Sequence, residues 1–149
     1  AENMIKAVAQ YGAGLPGTEF KPDTAITQEE LLRMLTSGMY YLADEADDLY
    51  RNAQDIIPES EKAPDDAVLR EDAFMYIARL MGFGKIAAMD IFAPGFNDGA
   101  DITPEKTGAL AILRGYGIVK GDAGAARPKD KLTRAEAAAL MYGYLTTEK

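Results

Sequence analysis

One ten-residue phrase occurs three times in this 149-residue chain. It runs over residues 21–30 (KPDTAITQEE), 63–72 (APDDAVLRED) and 127–136 (RPKDKLTRAE). Each copy carries a proline and, four residues later, an aliphatic side chain: Ile26, Val68 and Leu132. A helix-start signal and an apolar helical stretch follow each time. Internal repetition constrains architecture before any local reading does, because a unit of this size cannot bury its apolar face alone.

In the first unit, an apolar-periodic stretch over Met4, Ile5, Val8 and Tyr11 predicts a short helix. A glycine-rich loop, 12–17, leads to Phe20. Thr27 and Glu30 have capping-box spacing, and Leu31, Leu32, Met34, Leu35 and Met39 form the apolar face of the helix they open. The second unit starts near Asp48. There Leu69 stands where the other copies have threonine, so Asp65 or Asp66 is the expected substitute cap. Its helix runs from Arg70 through Phe74, Ile77 and Leu80 to a stop at Gly82. A connector spans 83–101. The third unit opens with Thr103 as expected N-cap and Pro104 at the first helical position. It continues with Ala109, Ile112, Leu113 and Tyr116, the loop 115–122, the capping box Thr133–Glu136 and a last helix to Leu145.

The copies are unevenly spaced, 42 residues from Thr27 to Leu69 and 64 from Leu69 to Thr133. A regular open solenoid tolerates that poorly. The expectation is therefore an all-α domain of three helix-loop-helix units, 1–43, 44–91 and 92–149, packed as a closed cluster.

Composition excludes several function classes. There is no cysteine and no histidine, so thiol nucleophiles, Cys-based zinc sites and the usual general base are absent. An enzyme would have to rely on paired carboxylates, and no spacing marks such a pair. No apolar run approaches the ~20 residues of a membrane span. The net charge is -8, and residues 44–72 alone hold 11 acids against three bases. Residues 114–134 hold six bases against two acids. Such a chain repels nucleic acid in general, while its basic stretch is either a solvated face or a local seat for a small anion. Asn97–Asp101 faintly suggests a calcium loop, but its acids are out of register with one, and no metal or cofactor is expected.

The third unit carries a resemblance. Phe96-Asn-Asp98, then 109–113 (ALAIL), 117–122 (GIVKGD) and 132–137 (LTRAEA), closely resemble an S-layer homology repeat. The first two units keep the same order of elements in diverged form, so the whole chain resembles a triplet. The first lacks the leading aromatic-acid signature and reads as trimmed at its start. The resemblance implies three repeats packed as a pseudo-trimer with ligand grooves between neighbours. It implies non-covalent attachment of a larger exported protein to secondary cell-wall polysaccharide, often ending in pyruvylated, anionic sugars, at the cell wall or S-layer. It also implies that the arginine of the Thr-Arg-Ala-Glu motif is a main contact.

By column those positions are Arg134, Arg70 and, in the first unit, Gln28. An arginine in the first helical turn would sit beside free backbone amides and could clamp a carboxylate bidentately, whereas the glutamine amide can hydrogen-bond a sugar but cannot pair with a carboxylate. The expectation is one strong groove at Arg134, a plausible one at Arg70 and a silent one at Gln28. Gly117 and Gly121 would let a sugar approach the backbone, or only supply turn geometry. Tyr116 would offer a flat face to a sugar, or close the core. A surface ion pair is the plain alternative for Arg134. The competing function is a protein-interaction or structural module that has drifted from saccharide binding.

Overall fold

A computed structural model describes residues 21–36, 45–93, 95–121 and 124–147. The expected Met4–Tyr11 helix, the loop 12–17, Phe20 and Met39 lie outside the described residues. The described chain is mostly helical. Its helices are α1 (Gln28–Thr36), α2 (Ala46–Asn52), α3 (Arg70–Leu80), α4 (Gly84–Ala87), α5 (Thr107–Gly115) and α6 (Arg134–Thr146). Short 3-10 turns cover Glu59–Glu61, Gly99–Asp101 and Pro104–Lys106. The connector is thus more structured than expected, since α4 and one such turn fall inside it. Among the described residues no strand forms, only isolated bridges.

Those bridges join the three copies of the phrase end to end. The Ile26 amide donates to the Leu132 carbonyl (2.9 Å), the Leu132 amide to Val68 (2.8 Å), and the Val68 amide to Ile26 (3.1 Å), which closes a ring. Backbone amides and carbonyls hidden from water must find partners. Here each copy supplies the next, and the side chains of Ile26, Val68 and Leu132 are all buried in the core.

The same three segments cap the helices that follow them. At the start of α1, Gln28 and Glu29 donate to the carbonyls of Asp66 and Pro64. At α3, Arg70 and Glu71 donate to Asp130 and Pro128, and at α6, Arg134 and Ala135 donate to Thr24 and Pro22. The third amide goes to Thr27 Oγ1 in α1 and to Thr133 Oγ1 in α6, with Glu30 and Glu136 returning to the threonine amides as the capping-box spacing predicts. In α3 the third amide donates to the Leu69 carbonyl instead. Asp65 and Asp66 therefore do not replace the missing side-chain cap; the Leu69 carbonyl of the same copy takes that amide.

α3 packs on α4 and α5, while α1 packs on α2, α3 and α6. The predicted faces point inward: Leu31, Leu32, Met34 and Leu35 of α1, Phe74 and Ile77 of α3, Leu113 of α5 and Met141 of α6 are buried. α3 stops at Gly82 as expected, with Phe83 donating back to Ala78.

Candidate functional site

The cyclic pairing brings the start of each helix against the helix start of a neighbouring copy. Arg70, on the first turn of α3, sends Nη1 to Glu136 on the first turn of α6 (2.5 Å) and Nε to the Ala126 carbonyl (3.0 Å). Arg134, on the first turn of α6, pairs in the same way with Glu30 on the first turn of α1. Each arginine thus meets the glutamate of the next capping box.

The backbone amides around these arginines are not free. The first two of each helix already bond carbonyls of a neighbouring copy and the third bonds its own cap. The expectation of an anion seated on open helix amides is corrected by that pairing. Any anion held here must be held by side chains.

The Arg70 seam has a side chain that the sequence reading missed. Arg127 sends Nη2 to the same Glu136 Oε2 (2.6 Å), so two guanidiniums share one carboxylate oxygen. Arg127 stands in the left-handed region at φ 52, which few non-glycine residues adopt. Its amide and that of Ala126 donate to the two oxygens of Asp98, at 2.8 and 2.9 Å. Asp98 is the acid of the Phe-Asn-Asp signature, and this clamp is what that acid does. Lys21 occupies the same column of the first copy and shares the unusual backbone, at φ 51. A basic residue before the proline in both copies was the available signal.

Glu136 is burdened by burial, which alone would raise its pKa. The Thr133 amide and the charges of Arg70 and Arg127 more than offset this and hold it below the usual carboxylate range. The guanidiniums therefore stay paired with an ionised acid at neutral pH. Arg70 is 10% exposed at its side chain and Arg127 39%, so solvent reaches the cluster from the Arg127 side.

Deeper in the same region, Glu71 is 2% exposed and takes hydrogen bonds from the Thr103 amide (2.9 Å), Thr103 Oγ1 (2.6 Å) and Lys129 Nζ (2.6 Å). Thr103 does stand at the N-cap position with Pro104 after it, as expected, but its hydroxyl goes to Glu71 and does not cap the turn. A buried carboxylate needs donors more than a short 3-10 turn needs a cap.

Gln28 stands in the arginine column of the first copy and is 4% exposed. Its Nε2 donates to the Glu61 carbonyl (2.9 Å) and to Tyr76 Oη (3.0 Å). Its Oε1 accepts from the Ala63 amide (2.6 Å) and from the Tyr50 hydroxyl. The amide is fully engaged inside the protein. Beside it opens a cleft of about 320 Å³, lined by Gln28, Asp72, Met75, Tyr76, Arg79 and Lys106 among others.

Burial pushes the Tyr76 phenol up to about 12, with the carboxylates of Asp72 and Glu61 adding to the shift against the Gln28 hydrogen bond. The same burial raises Tyr50 further. The folded protein therefore holds the Tyr76 proton more tightly than the unfolded chain does. That stability is present below pH 10 and is lost as pH rises from 10 through 12, up to roughly 2–3 kcal/mol. Urea titrations between pH 9 and 12 should show it, and Tyr76→Phe should flatten the decline. An identical pH slope in Tyr76→Phe would contradict the assignment.

Tyr116 and the two glycines lie elsewhere. Tyr116 follows the last residue of α5, stacks on Phe83 (centroids 5.9 Å apart) and lines a separate apolar cleft with Phe92 and Ile112. Gly117 has φ +75 and open space where a Cβ would be, so its requirement is backbone conformation. Gly121 has φ +82, and a Cβ there would come within 2.6 Å of the Phe96 ring, so it also makes room for that ring. Among the described residues no group of three or more carboxylates is gathered to hold a metal ion. No helix among them is long and apolar enough to cross a membrane.

Residues 95–138 match the family model described as S-layer homology domain. The match includes Phe96, Asp98, Gly117, Gly121, Arg127 and Arg134, and leaves Gln28 and Arg70 outside it. No curated protein and no solved structure matches the chain.

Proposed function

We propose that this chain is a non-covalent cell-wall anchor that grips an anionic secondary wall polysaccharide along the seams between three diverged S-layer homology units, packed as a pseudo-trimer. S-layer homology domains are non-catalytic modules that anchor proteins to cell-wall polymers at the bacterial surface, and residues 95–138 match that family. The cyclic backbone pairing of the three phrases supports extending the reading to the first two units.

One observation carries the choice of an anionic ligand. Arg70 and Arg127 converge on the single carboxylate of Glu136, and Arg127 presents this cluster of two guanidiniums to solvent. Arg127 also touches Asp130, but at 3.5 Å and between exposed groups, where ion pairing is weak. In this reading a ligand carboxylate, such as that of a pyruvate ketal, is clamped from the solvent side by Arg127 with Arg70 behind it. Arg134 and Glu30 form a balanced pair, so that seam is expected to bind an anion more weakly. The ranking of grooves shifts accordingly from Arg134 to Arg70. Gly117, Gly121 and Tyr116 then act in shaping the third unit.

The reading places the chain at the cell wall or S-layer, within a larger exported protein. Co-sedimentation with bacterial wall sacculi tests it directly. The chain should pellet with intact sacculi and stay in solution when their secondary polysaccharide has been extracted. Equal pelleting with both would refute polysaccharide anchoring.

A protein-interaction module without saccharide binding is the second reading. It is favoured by Ile86, Met89 and Ile91 around α4, which are 46%, 51% and 71% exposed. It predicts no pelleting with either preparation.

A further inference from the structure

The cleft beside Gln28 has chemistry unlike the Arg70–Arg127 cluster. Its carboxylates Glu61, Asp66 and Asp72 outnumber its cations Arg79 and Lys106. Arg79 grips Glu61 through two bonds (2.7 and 3.0 Å), and Lys106 pairs with Asp72. An entering anion would find the cations already matched and one carboxylate in excess. Apolar groups of Ala67, Val68 and Met75 line the same cleft. Apolar surface beside paired donors and acceptors complements an uncharged sugar ring, whose C–H face seeks the first and whose hydroxyls seek the second. A volume of about 320 Å³ sits at the small end of ligand clefts and suits a short stretch of such a polymer.

We infer that this cleft is a subsite for an uncharged sugar of the wall polymer, so that the copy lacking the column arginine is not silent but reads a different part of the ligand. The inference rests on the anchoring reading. It divides the work between two seams: Arg70 and Arg127 take the acidic substituent, and the Gln28 cleft takes a neutral ring.

Calorimetry on the full chain tests this with a purified pyruvylated wall polysaccharide, used intact and after mild-acid removal of its ketal carboxylates. The stripped polymer should still bind. Ala67→Trp, at an exposed position on the cleft, should weaken that binding about tenfold or more. Lys131→Ala, at an exposed position off the cleft, should leave it within about twofold. As a second variant, Asp72→Asn keeps the shape of the side chain and leaves Lys106 less balanced. It should weaken the stripped polymer and shift preference toward the intact, anionic one.

If the intact polymer binds and the stripped one does not, the cleft inference is overturned while the anchoring reading stands. The same holds if Ala67→Trp and Asp72→Asn both bind the stripped polymer as the wild type does. If neither polymer binds the wild type, the anchoring reading falls and the inference falls with it.

Discussion

Leu132→Ala is expected to destabilise the fold by about 2–5 kcal/mol, the usual range for emptying a buried leucine site. Leu132 is fully buried, and its backbone both donates to Val68 and accepts from Ile26. The cavity would open at the ring through which all three copies of the phrase are joined. The expected loss in melting temperature is roughly 5–15 °C for a chain of this size. Lys131→Ala, one residue away on an exposed side chain, should change it by no more than about 2 °C. A shift as small as the control's for Leu132→Ala would show that the ring is not the structural centre.

The second large effect concerns binding. Arg70→Ala combined with Arg127→Ala removes both guanidiniums from Glu136 and turns the proposed anion seat into an acidic one. Loss of charge-assisted bonds, with a carboxylate left facing the ligand, predicts a fall of about a hundredfold or more in affinity for the anionic polysaccharide. Arg134→Ala should have a smaller effect, because its partner Glu30 already balances it. Arg127→Ala alone is the cleaner probe, since Arg127 is half-exposed whereas Arg70 is buried against the Ala126 carbonyl. Undiminished binding in the double variant, with its fold intact by circular dichroism, would remove the seam from the account.

The local structure was legible in the sequence because short-range rules govern it. Thr27 with Glu30 and Thr133 with Glu136 announce helix starts by side chains three residues apart, and both boxes form. Gly82 marks the end of α3 for a similarly local reason. The pairing of the three phrases was not legible. It joins Ala25 to Thr133 and Leu69 to Lys131 through backbone groups that every residue carries, so it leaves no side-chain pattern to read.

The site was half legible for the same reason. The arginine column led to Arg70 and Arg134, but their partners are set by which helix start the ring brings opposite. Arg127 was overlooked because its role depends on a left-handed backbone that its residue type rarely adopts. Thr103 holds the N-cap position expected of it, but its hydroxyl is diverted because the buried Glu71 that claims it lies 32 residues earlier. The cleft beside Gln28 left no mark in the column comparison, because its walls come from residues as far along the chain as Lys106.

The central claim is that the seams between the three phrases hold the wall polymer. Amide chemical-shift mapping during titration with a purified pyruvylated wall polysaccharide tests it most directly. The account predicts shifts concentrated at the first turns of α1, α3 and α6, at Ala126 and Arg127, and around Asp72 and Tyr76. Shifts confined to the exposed Ile86–Ile91 region, or none at saturating polymer, would contradict it.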